Sequence, residues 1–322
     1  MYKIKSKPED FIVEEIPVFE NKKSGKYTYF LLEKRNYNTE KVIQKLSRYY
    51  NIPRKRFGYA GSKDKRAVTK QYCSVKGRIK AVELNDISVK VVGYGDEPIS
   101  LGDLSSNKFT ITIRNVTKKP KPITFIINYF DEQRFGKNNL EAGLAILKKD
   151  FKKASGLLQV KVKNNDYIGA IRTIPLKTLR LIINSVQSYL WNEIAADYIK
   201  VKTKTYSEVK YKHGIFIFPK NRLNNIEIPL IAFDTEFDNN EIRGLYVKIL
   251  KKTNLSLKDF VIRSLPNITP LGNKRNLITD VKKVFVGKLE NDDLNKNKKK
   301  VTVNFELSKG SYATLVIKKM FL

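Results

Sequence analysis

The chain has 322 residues, 41% of them hydrophobic and 11% aromatic, which is enough to fill the cores of two domains and excludes a disordered tail. Its 63 Lys and Arg residues against 32 Asp and Glu residues give a formal charge of +31, which favours nucleic acid as a partner ahead of an anionic membrane. The chain has one cysteine, Cys73, and one histidine, His213, so it can form neither an internal disulfide nor a Cys/His zinc site. A hydrolase that uses histidine would depend on His213 alone and has little support.

The sequence carries no sign of membrane insertion or secretion. No segment approaches the roughly 18 apolar residues of a membrane span. The basic residues of the N-terminus are followed by Glu9 and Asp10, which is unlike a signal peptide. We therefore expect a soluble, cytoplasmic protein with no membrane partner.

Strands dominate the first 115 residues. Residues 26–35 form the first clear strand, and a helix is predicted after Thr39 because Val42, Leu46 and Tyr49 fall on one face. Further strands are predicted at 70–76, 87–92 and 108–114. In the last of these, apolar and polar side chains alternate strictly.

The pattern changes after Pro122. Apolar residues recur at helical spacing across 140–151 and 179–194, and another helix is predicted at 240–253. A charged stretch at 291–300 then leads into alternating apolar residues at 301–307. These patterns predict a β-rich domain, a helix-rich insertion and C-terminal strands that rejoin the first domain.

One carboxylate stands out in the Gly- and Lys-rich segment 57–69. The segment is not a Walker phosphate loop, because Gly58 and Gly61 are too close together and Lys63 is followed by Asp64. Asp64 lies among Lys63, Lys65 and Arg66, and an anionic side chain in such a loop could approach an RNA backbone without net repulsion. From these residues alone, a salt-bridged turn remains the alternative.

A second acidic motif, Asp234-Thr-Glu236-Phe-Asp238, resembles the start of a two-metal nuclease site. Such a site needs further carboxylates downstream, and the rest of the chain offers no convincing set. Acidic residues in a turn are therefore the preferred interpretation.

Motifs along nearly the whole chain resemble, in family order, those of the TruD family of pseudouridine synthases. They are PEDFxVxE at 8–15, AGxKDxxAVTxQ at 60–71, LGDL at 101–104, NxF at 107–109, NYFGxQRFG at 128–136, QSxxFN at 187–192 and GSxAT at 310–314. This chain departs from the family pattern at Asp131 (usually Gly), at Trp191 (usually Phe) and in a looser GxRR at 272–275, and its connection from Arg114 to Asn128 is short.

The resemblance implies a tRNA pseudouridine synthase that needs no cofactor, no metal and no obligatory protein partner. It implies that Asp64 is the catalytic carboxylate, acting at C1′ or C6 of the nucleotide or as a base at the sugar. The side chains that it places around a flipped-out uridine are Phe11, Asn107, Phe109 and Tyr312, with Lys5 and Lys63 as phosphate or carboxylate partners. Phe109 would stack on the base, which is worth about 1–3 kcal/mol. Alternation alone assigns Phe11 and Phe109 to the core.

The implied fold is α+β, with a mixed, largely antiparallel sheet in a catalytic domain that an α+β insertion domain interrupts. We expect the catalytic domain at 1–125 and 281–322 and the insertion domain at 126–280. The resemblance suggests position 13 of tRNA as the target. The alternative function is a catalytically silent RNA-binding protein on the same scaffold, which would not need Asp64.

Overall fold

The computed structural model describes residues 2–322, which divide into two compact units. The first contains residues up to Thr124, 280–313 and Phe321, and the second contains 125–279, 314–320 and Leu322. The sequence assigned all of 281–322 to the catalytic domain, whereas the last helix groups with the second unit. Within residues 2–322, no helix is both long and apolar enough to cross a membrane.

The strands, in chain order, are β1 Phe11–Pro17, β2 Tyr27–Arg35, β3 Phe57–Tyr59, β4 Val68–Lys76, β5 Val82–Leu84, β6 Ile87–Gly95, β7 Leu104–Val116, β8 Phe125–Ile127, β9 Tyr206–Tyr211, β10 Gly214–Pro219, β11 Glu227–Leu230, β12 Asn273–Asn276, β13 Ile278–Val286, β14 Glu290–Asn291 and β15 Lys299–Ser308. The α-helices are α1 Thr39–Tyr49, α2 Asn139–Leu147, α3 Phe151–Leu157, α4 Tyr167–Arg172, α5 Leu176–Lys202, α6 Asn240–Thr253 and α7 Ala313–Met320.

The first unit is built on one mixed sheet. Its strands are hydrogen-bonded in the order β5-β6-β2-β4-β1-β7-β15-β13, while β3 pairs with β4 and β14 with β15. The pairing of β1 with β4 is parallel and the other pairings of this unit are antiparallel. The prediction of a mixed, largely antiparallel sheet in an α+β protein is confirmed.

Helix α1 covers part of this sheet. It begins beside Asn38, whose side chain accepts a hydrogen bond from Glu40 N at 2.9 Å. Its buried residues Val42, Ile43 and Leu46 pack against the apolar side chains of β2, β4 and β6. The prediction that Tyr49 shares this face is wrong: Tyr49 is exposed, and the neighbouring Tyr50 packs against the cluster instead.

The second unit is organised around α5, a helix of 27 residues. It packs against α2, α6, the hairpin β9–β10 and the strand pair β11–β12. The helical spacing seen across 140–151 belongs to two helices and not to one. Lys149 takes a left-handed φ of 61° between them, and Asp150 caps α3 by accepting a hydrogen bond from Lys153 N at 3.0 Å.

Candidate active site

The loop of residues 60–67 joins β3 to β4 and carries Asp64. Two buried side chains fix its backbone. The Thr39 hydroxyl accepts a hydrogen bond from Lys63 N at 3.0 Å and donates to Gln71 Oε1 at 2.9 Å, and Gln71 Nε2 donates to Gly61 O at 3.1 Å. Because Thr39 and Gln71 lie on α1 and β4, the loop takes its position from the packed core.

A second turn supports the start of this loop. Gly102 N donates a hydrogen bond to Ala60 O at 2.8 Å, and Gly102 has a φ of 96°, which glycine adopts far more readily than other residues. The side chain of Asp103 accepts a hydrogen bond from Ser100 N at 2.6 Å and closes the turn. The LGDL motif therefore has a structural role at the Asp64 loop.

Asp64 forms an ion pair with Lys5. The distance from Lys5 Nζ to Asp64 Oδ2 is 2.7 Å, and the two side chains are 21% and 20% exposed. Lys5 has a left-handed backbone φ of 57°, a conformation that costs a residue with a Cβ about 1–2 kcal/mol. The chain thus accepts backbone strain at the residue that places an ammonium group on the candidate catalytic carboxylate.

A buried polar cluster lies beside this pair. Lys63 Nζ is 2.5 Å from Glu15 Oε1 and donates a hydrogen bond to Asn107 Oδ1 at 2.8 Å. Glu15 and Asn107 are paired across β1 and β7, so the sheet register brings them together. Glu15 also accepts a hydrogen bond from Tyr72 N at 2.9 Å, which links the cluster to β4.

The predicted aromatic residues form a buried layer. Phe11 and Phe109 are 2% and 7% exposed, and their ring centres are 6.1 Å apart in an edge-to-face contact. Phe109 also stacks on Phe305 at 5.4 Å, and Lys5 Nζ lies 4.0 Å from the centre of the Phe11 ring. The structure therefore brings Phe11, Phe109, Lys5 and Asp64 together, with the Phe11 ring covered by Lys5.

Tyr312 lies half-buried in the segment between β15 and α7, and none of the contacts just described involves it. The other six predicted residues form one connected cluster on the first unit.

Sequence reasoning missed four residues of this cluster: Glu15, Lys34, Thr39 and Gln71. Lys34 is completely buried, and its ammonium donates hydrogen bonds to Tyr37 O at 2.7 Å and to Asp64 O at 2.9 Å. Burial lowers the pKa of Lys34 to about 8, although the nearby Asp64 works in the opposite direction. Glu15 and Gln71 lie within the TruD motifs at 8–15 and 60–71. Their place in these motifs was the sequence signal that could have identified them as functional residues.

The acidic motif in the second unit has a structural role. Asp234 accepts a hydrogen bond from Gly272 N at 2.9 Å, and Asp238 forms an ion pair with Lys274. Across residues 2–322, no group of three or more His, Cys, Asp or Glu side chains is arranged to hold a metal ion. These contacts agree with the preference for acidic residues in a turn.

Comparisons with known proteins agree on one family. A family model described as tRNA pseudouridine synthase D (TruD) matches residues 2–164 and 202–320. The probable tRNA pseudouridine synthase D 2 of Methanocaldococcus jannaschii is 31% identical, over 99% of this chain and 92% of the relative. The probable tRNA pseudouridine synthase D of Nanoarchaeum equitans is 29% identical, over 99% of this chain and 98% of the relative.

A solved structure has the same fold. The crystal structure of the putative tRNA pseudouridine synthase D from Methanosarcina mazei matches with a TM-score of 0.71 and 26% identity, over 99% of this chain and 93% of that chain. The mixed sheet, its α+β surroundings and these matches define an RNA-modifying isomerase of the pseudouridine synthase class. Within that class, the chain belongs to the TruD family of tRNA pseudouridine synthases.

Proposed function

We propose that this protein isomerises uridine to pseudouridine at position 13 of tRNA, with Asp64 as the catalytic carboxylate and without a cofactor. The observation that carries the proposal is the Asp64 side chain, paired with Lys5 at 2.7 Å in a loop that buried groups hold in place. The reaction breaks the N1–C1′ bond and forms a C5–C1′ bond, while C5 loses a hydrogen and N1 gains one. The product is an isomer, so the balance calls for no oxidant or co-reactant.

The carboxylate can attack C1′ or C6, or accept a proton from the sugar. All three roles need an ionised oxygen at a fixed position. Lys5 fixes the position of this oxygen, because its ammonium lies 2.7 Å from Asp64 Oδ2 at the edge of the loop. Asp64 is one-fifth exposed, so a nucleotide can reach it.

Asn107 would recognise the uracil. An ammonium group only donates hydrogen bonds, so the contact from Lys63 identifies the amide oxygen of Asn107 as the atom that faces it. The Asn107 NH2 group has no hydrogen-bond partner in the described part of the chain, and it can donate to a uracil carbonyl. Cytosine carries an amino group in place of the O4 carbonyl, so this donor would favour uracil.

The aromatic layer would support the flipped base. Flipping costs a few kcal/mol, which contacts in the site must offset. The Lys5 ammonium covers the Phe11 ring at 4.0 Å while it is paired with Asp64 at 2.7 Å, so we propose that Lys5 moves off Phe11 towards a phosphate as the nucleotide enters. Phe109 would contribute its small exposed part, and Tyr312 would pack on the nucleotide from the loop after β15.

Replacing Asp64 by Asn tests this function. Asp64→Asn should keep tRNA affinity within a few-fold and abolish pseudouridine formation, as measured by mapping pseudouridines in tRNA treated with the purified protein. Asp96→Asn is the matched control, since Asp96 is exposed and paired with Lys22 on the same unit. A normal rate for Asp64→Asn would refute the catalytic role, and a wild-type product at another uridine would correct the target alone.

A further inference from the structure

Lys34 is a buried charge that the proposed reaction does not use. Its side chain is fully buried in β2, opposite Thr69 of β4 and Ile87 of β6. The described residues provide no carboxylate partner for Lys34; the acceptors of its ammonium are the carbonyl oxygens of Tyr37 and Asp64. Two other buried cations of this unit differ, since Lys63 pairs with Glu15, and Arg114 with Asp10 and Asp292.

Stability alone does not account for this arrangement. Moving an ammonium group out of water without a directly paired carboxylate costs free energy, and two carbonyl acceptors recover only part of it. Burial lowers the pKa of Lys34 to about 8, which reflects the same cost of removing the charge from water. Groups that are costly for folding are common at functional sites, because activity depends on them.

We infer that Lys34 is a positioning residue, whose ammonium anchors the backbone of Asp64 to the sheet and supplies a fixed positive charge beside the reacting carboxylate. This inference rests on the proposed catalytic role of Asp64. Lys5 is one-fifth exposed and lies where substrate would arrive, whereas Lys34 is sealed in the core. The charge of Lys34 therefore stays in place when Lys5 engages the nucleotide.

The protonation state of Lys34 separates the contribution of its hydrogen bonds from that of its charge. An ammonium has three N–H donors and a neutral amine has two, so both forms can keep the bonds to Tyr37 O and Asp64 O. Deprotonation thus removes the charge and leaves the anchor. The ionisable groups facing Lys34 are Asp64 and Lys63 of the loop and Cys73 of β4, and burial raises the pKa of Cys73 well above its usual value, so the thiol stays neutral through this range.

The test measures the single-turnover rate of pseudouridine formation from about pH 6 to about pH 9. Wild-type protein should lose rate on the alkaline side as Lys34 is deprotonated. Lys34→Met should be about 100-fold slower at neutral pH, the effect of a displacement of about 1 Å at a reacting group, with tRNA affinity changed by no more than a few-fold. Lys34→Arg keeps its charge throughout this range and should lose the alkaline decline.

Lys90→Met is the matched control, since it removes an exposed lysine from the neighbouring strand β6 and should leave the rate unchanged. A wild-type rate in Lys34→Met, or an identical alkaline decline in wild type and Lys34→Arg, would overturn the inference; in the second case the decline would belong to the substrate. If Lys34→Met does not fold, a flat wild-type profile overturns it equally. Activity in Asp64→Asn would instead remove the proposed function, so the two failures are distinguishable.

Discussion

Removing Lys63 should destabilise the protein by leaving a buried carboxylate without its partner. Lys63 Nζ lies 2.5 Å from Glu15 Oε1, and the two side chains are only 10% and 1% exposed. Loss of one member of such a pair costs about 3–5 kcal/mol, because the remaining charge keeps its desolvation penalty and loses its attraction. We therefore expect Lys63→Met to lower the unfolding free energy by about 3–5 kcal/mol.

A second substitution should restore most of this stability. In the double variant Lys63→Met/Glu15→Gln neither position carries a charge, and the amide oxygen of the introduced glutamine can still accept the hydrogen bond that Tyr72 N donates to Glu15 at 2.9 Å. The double variant should lie within about 1 kcal/mol of wild type, since neutral replacements of buried ion pairs are often close to neutral. The coupling energy, which is the summed cost of the two single variants minus that of the double variant, should then be at least about 2 kcal/mol.

Activity should not return with stability. Lys63 donates the hydrogen bond that orients the amide of Asn107, and neither of the two substituted side chains reproduces an ammonium at that place. The assay is urea unfolding of wild type, both single variants and the double variant, alongside pseudouridine formation in tRNA. Additivity within about 0.5 kcal/mol would show that the pair does not interact in solution, and full activity in the double variant would refute the proposed orientation of Asn107.

Three further predictions concern charge. Arg114→Met should cost about 3–5 kcal/mol in urea unfolding, because Asp10 and Asp292 would stay buried without the guanidinium that pairs with both at 2.9 Å; an unchanged midpoint would contradict this. The pKa of Lys34, about 8, lies below that of a free lysine, so above pH 8 the folded state has released a proton that the unfolded state keeps. Lys34 should therefore contribute a rise of about 2–3 kcal/mol to the unfolding free energy towards about pH 10, and Lys34→Met should lack this contribution when its pH profile is compared with that of wild type. Affinity for tRNA should fall about 10³-fold or more between about 50 and 200 mM salt if about six phosphates are contacted, and a flat response would argue against electrostatic binding.

The elements and the Asp64 loop could be predicted because their signals are local. Alternation at 108–114 and 301–307 identified β7 and β15, and helical spacing identified α5. The break between α2 and α3 was missed, since apolar spacing continues across it while the backbone turns at Lys149.

The support for the Asp64 loop could not be predicted, because it depends on which strands are neighbours. Glu15 meets Asn107 through the pairing of β1 with β7, and the two residues are far apart in the sequence. Lys34 lies between Glu33 and Arg35 at the end of β2, and a lysine in such a charged run is normally expected at the surface. Nothing local marks it as buried.

The presence of Asp131, where the family usually has Gly, also has a structural explanation. Asp131 is buried in the second unit, yet its carboxylate accepts a hydrogen bond from the Thr314 hydroxyl and lies 2.5 Å from Lys318 Nζ, both of α7. The charge introduced at this position is therefore paired. The partner is some 187 residues away in the sequence, which is why the motif alone left the departure unexplained.

The register of β1 separates the candidate active site from a charge-balanced surface. Successive side chains of a strand point to opposite faces, so Glu15 faces Lys63 while Glu14 lies on the other side of the sheet. Across that second face runs a row of alternating charges joined by cross-strand pairing or ion pairs: Glu33, Lys70, Glu14, Lys108, Glu306 and Lys283.

This row contains three acidic and three basic residues, so it gives RNA no net attraction in a protein whose formal charge is +31. Lys34 and Glu15 lie on the opposite face, beside the Asp64 loop, where Lys34 donates to two carbonyl oxygens and Glu15 pairs with Lys63. A slip of β1 by one residue would exchange Glu14 with Glu15 and turn Phe11 away from Phe109. The alternation of this one strand therefore decides which face of the sheet places Glu15 beside Lys63 and Phe11 beside Phe109, and which face carries the balanced row.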